Sequence, residues 1–185
     1  MEVSSQALKY DRTLGIRFDV GCYLNIGEDH ISPIEHTDFE DYFQAKRKMM
    51  EQCRIACVNL DAERADEILA ATASCERVIT FGTNERAEIF CDQMTKENEG
   101  MAFRVTGPTF QETIKLSMSG FFNIENALAA IAICYGLGIS FASIKEGLLK
   151  AKVAGRMEVY YGEQSKVFVI VDYAHNHMSF ERRFS

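Results

Sequence analysis

Phe18-Asp19-Val20-Gly21-Cys22-Tyr23-Leu24-Asn25-Ile26 is the stretch on which the fold turns. It is β-rich and largely apolar, and it reads as a buried strand. Residues 54–60 and 77–81 read the same way, with helical patterns between the three runs. Strands alternating with helices predict a largely parallel α/β sheet. From 88 to 119 the period shifts to two. Met101, Phe103 and Val105 alternate with other residues, as do Ile114, Leu116 and Met118. That pattern predicts an antiparallel hairpin or small subsheet turned near Gly107-Pro108. An almost wholly apolar helix is expected over 124–135, closed by Gly136 and Gly138. Ser140 is placed to cap a further helix reaching about Lys150. Val153-Ala154-Gly155 reads as a hinge, and residues 157–161 and 167–171 as two strands of something new. The expected organisation is one unit over 1–154 and the opening of a second over 155–185.

Composition narrows the function classes. The chain has 185 residues, 47% hydrophobic and 25% charged, with a formal net charge of −7. Such a balance is that of a soluble globular protein. It argues against nucleic acid as a partner, because a phosphate groove needs a basic excess. A small anionic substrate needs only one or two cations. No apolar run reaches the ~18 residues of a membrane span, so no membrane partner is expected. Met1-Glu2-Val3-Ser4-Ser5 is neither a signal nor a transit peptide. The six cysteines form no C-x-x-C and no zinc set with histidine. They read as reduced, small apolar residues of a cytoplasmic protein.

The chemistry concentrates after residue 24. Thr37-Asp38-Phe39-Glu40 has capping-box form, so a helix starts there. Its apolar stripe is Phe39, Tyr42, Phe43, Met49, Met50 and Cys53, and Lys46 falls within that stripe at helical spacing. A buried ammonium is costly. One reading is an amine that snorkels to the rim of the core. The other is a lysine of depressed pKa, whose neutral amine can take up carbon dioxide. The resulting carbamate is an oxygen ligand suited to magnesium. Upstream, Asn25-Ile26-Gly27-Glu28-Asp29-His30 follows a strand, at the edge where open α/β sheets bind ligands. His30 reads either as a surface-loop histidine or as a metal ligand or acid–base group.

A resemblance ties these pieces together. Met1–Gln6 with Arg12, then Asp19-Val20-Gly21, the 25–30 segment and Tyr42-Phe43-Gln44-Ala45-Lys46 resemble the central ATPase domain of the Mur ligases. Asn59-Leu60-Asp61-Ala62-Glu63 is similar to the family's N-x-D-D/A-E turn. Gly120-Phe121-Phe122-Asn123-Ile124-Glu125-Asn126-Ala127 is similar to its G-x-F/H-N-x-x-N-A helix start. Gly155-Arg156-Met157-Glu158 and Val171-Asp172-Tyr173-Ala174-His175 match its G-R-M/F-E and D-Y-A-H elements. The order is the family's across nearly the whole chain, and it is most like the members that extend a UDP-N-acetylmuramoyl dipeptide.

The resemblance implies ATP and Mg2+ as cofactors, and a UDP-N-acetylmuramoyl peptide and an amino acid as substrates. Glu2 would hold the magnesium that bridges ATP phosphates, and His30 with carbamoylated Lys46 a second one. Ser4 and Arg12 would contact the UDP-muramoyl peptide. Asn123 and Asn126 would face the adenine, unless Asn123 merely caps its helix. Arg156 would reach the phosphates, unless it forms an interdomain ion pair, and Asp172 the ribose side.

Three departures shape what is expected of this chain. No G-x-x-x-x-G-K-[ST] phosphate loop is present, so the chain alone is expected to turn over no ATP. Asn176-His177 follows the D-Y-A-H element, where the family usually has Thr-Pro or Asn-Pro. The sequence stops before most of the C-terminal domain that recognises the incoming amino acid. The alternatives are a folylpolyglutamate or cyanophycin synthetase-like ligase of the same superfamily, or a non-catalytic module needing a partner with the phosphate loop. A central domain missing its first strands predicts self-association through an exposed sheet edge.

Overall fold

The computed structural model describes residues 1–27, 31, 32, 34–97, 100–155, 158–162, 164 and 166–171. Six strands form one sheet in chain order: β1 (Phe18–Tyr23), β2 (Cys53–Asn59), β3 (Arg77–Gly82), β4 (Ile89–Glu97), β5 (Gly100–Gly107) and β6 (Phe110–Leu116). Neighbours from β1 to β4 run parallel, with Val20 opposite Ile55 and Ile55 opposite Arg77. From β4 to β6 they run antiparallel, and Phe103 stands opposite Ile114. The expected α/β class holds. The first strand stops at Tyr23, short of Ile26, because the Leu24 carbonyl leaves the ladder and accepts from the Asn59 side-chain amide at 2.9 Å.

The antiparallel part is an extension of the main sheet. Only Phe81↔Ile89 and Gly82↔Phe90 pair between β3 and β4, across a link of residues 83–88. Parallel neighbours ordinarily need a crossover of a dozen residues or more, because the chain must return to the starting edge. Here it does not return. The first residues of β4 lie beside the last of β3, so β4 runs on past the carboxyl ends of β1–β3. The β5–β6 turn falls at Pro108-Thr109, where Gly107 is covered by the Phe110 ring; a Cβ there would lie 2.3 Å from Phe110 Cζ.

Two apolar layers sandwich the sheet. On one face α4 (Phe121–Gly136) and α5 (Phe141–Lys150) cover Cys57, Ile79, Phe81, Phe103 and Ile114 with Ile124, Leu128, Ile131, Ile144 and Leu148. Ser140 caps α5 as expected, its hydroxyl accepting from the Ser143 N–H. Near its C-terminus, Gly136 lets α4 approach closely, since a Cβ would lie 3.0 Å from Ile79 and 3.3 Å from Ile55. Those residues stand near the starts of β3 and β2. The helix therefore runs antiparallel to the strands, and its N-terminus faces their carboxyl ends.

On the other face α2 (Phe39–Glu51) and α3 (Ala65–Ala70), followed by a 3-10 turn over Ala71–Ser74, pack Tyr42, Phe43, Met50 and Ile68 onto Ala56 and Val58. Arg64 locks the two helices together. Its guanidinium lies 3.5 Å from the Phe43 ring centroid and 2.6 Å from both Glu40 and Glu67. A short α1 (Ser5–Lys9) rests on α2. Beyond α5, β7 (Glu158–Gly162) and β8 (Val167–Val171) make a separate antiparallel pair.

Candidate functional site

The carboxyl ends of the parallel strands are held by side chains. Asn59, last in β2, donates from Nδ2 to the Leu24 carbonyl after β1, and its Oδ1 accepts from the Asp61 N–H at 3.1 Å. Asp61 in turn accepts from the Thr83 N–H after β3 at 2.5 Å. Gly82 makes room for this, since a Cβ would sit 2.7 Å from Asp61 Oδ2. The N-x-D element thus ties three strand ends into one rim. Burial, and after it the carboxylates of Asp61, Asp92 and Glu125, push the Cys91 thiol up to about 12. Glu125 lies in the first turns of α4.

Helix α4 begins at Phe121, a turn earlier than expected, after Gly120 at φ 100°. No side chain caps it, so its first N–H groups and the positive end of its dipole face the rim. Asn123 is therefore inside the helix and is not its cap. It is buried, and its Nδ2 donates to the Ser119 carbonyl at 2.7 Å. Its Oδ1 accepts from Asn126 at 3.3 Å, and Asn126 is exposed. Of the two amides, Asn126 is the one open to a ligand.

Across the sheet, α2 starts one residue later than a box built on Thr37 requires. Asp38 is the N-cap and accepts from the Asp41 N–H. Asp41 then reaches back past the cap to the Thr37 N–H at 3.0 Å, and it pairs with Lys9 at 2.5 Å. The Lys9 ammonium and the Thr37 N–H hold its carboxyl at about 2. Lys46, one helical turn after Tyr42, is half-buried with its amine 5.1 Å from the Tyr42 ring centroid. Its aliphatic stem therefore runs along the core while its head lies over an aromatic face.

A residue the sequence reading passed over joins these parts. His36 is fully buried, with Nε2 2.9 Å from Ser5 Oγ and Nδ1 3.4 Å from Asp41 Oδ2. Its ring is tilted against Tyr42 at 5.2 Å. Serine, histidine and aspartate in a row suggest a nucleophile, but Ser5 and His36 are closed off from any substrate. The row instead holds α1 and the strand-like approach to α2 in place. Only the polarity of a histidine just before a helix cap could have pointed to it in the sequence.

The other candidates divide. Ser4 caps α1, its hydroxyl accepting from the Ala7 N–H at 3.1 Å. Glu2 is exposed just before it, and Arg12 is exposed after α1 with its guanidinium 5.8 Å from the Tyr10 ring. The Ser5–His36 and His36–Tyr42 contacts bring the Glu2–Ser4 segment towards the helix that carries Lys46. His30, Arg156 and Asp172 lie outside the described residues, as does any Lys46–His30 pair. Among the described residues no three His, Cys, Asp or Glu side chains converge as a metal site.

A parallel sheet with a rim of this kind, an uncapped helix start facing it and a lysine-bearing helix on its other face defines an open α/β ligand-binding domain. Residues 1–134 match the Mur ligase middle domain, and the chain belongs to that family. Over its full length it is 41% identical to UDP-N-acetylmuramoyl-L-alanyl-D-glutamate--L-lysine ligase from Streptococcus pyogenes serotype M4, and it spans 37% of that relative. Its backbone is similar to MurF from Acinetobacter baumannii, with a TM-score of 0.79 and 25% identity over 89% of this chain and 36% of that one. It is also similar in fold to a UDP-N-acetylmuramoyl-L-alanyl-D-glutamate--2,6-diaminopimelate ligase, with a TM-score of 0.81 and 24% identity over 96% of this chain and 37% of that one.

Proposed function

We propose that the chain is part of an ATP-dependent, cytoplasmic ligase that adds an amino acid to a UDP-N-acetylmuramoyl peptide in peptidoglycan synthesis. The observation that carries this is identity along the whole chain to a ligase named for that reaction. In the proposed reaction a substrate carboxylate attacks the γ-phosphorus of ATP, and ADP leaves. An amine then displaces phosphate from the acyl phosphate to give the amide. Negative charge gathers on the transferring oxygens, and fixed cations and dipoles offset it.

This chain's residues would divide the work by their place in the fold. Asn126, exposed beside the uncapped start of α4, would meet the adenine, with Asn123 steadying it from behind. Arg156 would serve the phosphates and Asp172 the ribose. Ser4 and Arg12 would hold the muramoyl peptide next to α2. Magnesium, when bound, supplies positive charge to the phosphate oxygens. Glu2 suits it, being an exposed hard-oxygen donor. Lys46 would suit it only as a carbamate, with His30 as the expected second ligand, because an ammonium has no lone pair to give. We place the domain boundary at 154/155, which the separate β7–β8 sheet supports.

The test is Lys46→Ala in the full-length ligase. Ligation should be abolished, with short carboxylic acids restoring part of it by replacing the lost carbamate oxygens. Full activity would leave Lys46 as a structural residue whose amine merely reaches the rim of the core. For the 185-residue chain, β1 stands at the edge of the sheet, and edge strands invite pairing. Light scattering should show dimers or larger species; a stable monomer would count against that pairing.

A further inference from the structure

We propose that Cys53 and Cys75 form a two-thiol modification site that a hydroperoxide closes to a disulfide, tying the start of β2 to the start of β3. Cys53 opens β2, and Cys75 lies two residues before β3. The pairing of Ile55 with Arg77, continued by the Glu76 N–H to Arg54 carbonyl bond, sets the two cysteines side by side. Neighbouring strands are about 4.8 Å apart, within the span that a disulfide bridges. The two sulfurs are already 3.7 Å apart.

Both thiols point at one acceptor. Cys53 Sγ lies 3.5 Å and Cys75 Sγ 3.2 Å from the Met50 carbonyl at the end of α2. Gly21 of β1 leaves space for the pair, since a Cβ there would lie 2.9 Å from Cys53 Sγ. Solvent reaches it. Cys75 is partly exposed, and an open depression lined by Gly15, Arg17, Gln52 and Ser74 abuts Cys53. Cys22 and Cys57 also stand opposite each other, in β1 and β2. They pack against the core beneath α4, where Cys57 is fully buried.

The roles of the two sulfurs differ. Burial, then the neighbouring Cys75, pushes the Cys53 thiol up to about 12, so the first attack falls to Cys75. Its thiolate attacks a peroxide oxygen; an S–O bond forms, the O–O bond breaks, and the leaving oxygen departs as water or alcohol after taking a proton. Cys53 sulfur then attacks Cys75 sulfur. The S–S bond forms, the S–O bond breaks, and the hydroxyl leaves with the Cys53 proton as water. Two thiols are oxidised and one peroxide is reduced. The second step joins two sulfurs already 3.7 Å apart, so it is the faster of the two.

The link would sit at the amino ends of the strands, away from the rim, and would stiffen the sheet without occupying the candidate site. The test is hydrogen peroxide treatment of the whole chain, followed by intact mass and peptide mapping. A loss of two hydrogens, a Cys53–Cys75 linked peptide, reversal by dithiothreitol and a melting temperature several degrees higher are expected. With Cys53→Ser, Cys75 should stop at the sulfenic acid and be trapped by dimedone. With Cys75→Ser, Cys53 should remain a thiol. Phenylarsine oxide, which bridges close thiols, should span the pair in the untreated chain and fail to do so in either variant. A wild-type chain in which dimedone traps Cys75 without any link would overturn the proposal. So would a first disulfide between other cysteines, or no arsenical bridge.

Discussion

The two faces of the sheet are built from unlike helices. On one, α4 buries Ile124, Leu128, Ile131 and Ala132 and carries Glu125 as its one charged side chain. On the other, α2 buries Tyr42, Phe43, Ala45 and Met50 along one stripe, while Glu40, Asp41 and Lys48 form ion pairs, Lys46 lies over an aromatic ring and Arg47 bonds Gln44 of the same helix. The first face is apolar almost all round and specifies how the sheet is covered. The second is amphipathic, and its polar half carries Lys46 and pairs with Lys9 of α1, the helix that Ser4 caps. The two helices thus differ in kind: α4 contributes mostly apolar packing around Glu125 and the Asn123–Asn126 pair, and α2 contributes both packing and charged pairing.

The sharpest way to break that division is a charge on the α4 face. Ile131→Asp places a carboxylate at a fully buried position among apolar side chains, at a cost of several kcal/mol, comparable to the whole stability of a domain. No cooperative thermal transition should be seen by calorimetry. On the α2 face, Phe43→Ala removes a fully buried ring and also the surface on which Arg64 lies. It should cost about 3–5 kcal/mol and still leave a folded chain, readable as a lower urea midpoint.

A smaller effect separates the faces by pH. Asp41 has its folded pKa depressed from 3.8 to about 2, so its contribution is complete above 3.8 and lost as pH falls towards 2. Asp41→Asn should be less stable near neutral pH and flatter through that acid window. Urea midpoints measured across it would check this, and an unchanged acid slope would show that the Lys9 pair contributes nothing.

Much of the fold was legible because it follows local periods. The strands at β1, β2 and β3, the shift to period two, the Gly107-Pro108 turn and the Ser140 cap are all set by neighbouring residues. The joining of β4 to β3 was not legible, since it depends on how far one strand is staggered against another. The start of α4 was misplaced for a related reason. Gly120, at φ 100°, stands before the helix, and Asn123 lies inside it. Ser4, Glu2, Arg12 and Asn126 became candidates through resemblance, and Lys46 through its place in the apolar stripe of its helix as well. His36 was not, because a buried polar hub is defined by partners far away in sequence, Ser5 among them.

The brief link between β3 and β4 also bears on how the chain reaches its fold. Phe81 and Ile89, and then Phe103 and Ile114, are close along the chain, so their pairing closes only small loops. Val20 and Ile55 must close a much longer one, with α2 formed in between. Low contact order favours early formation. The β4–β6 meander, with the end of β3 docked against it, is thus the natural nucleus, and β2 and then β1 condense onto it last. The rim, which joins the ends of β1 and β2 to that of β3, would then take shape against a scaffold already in place.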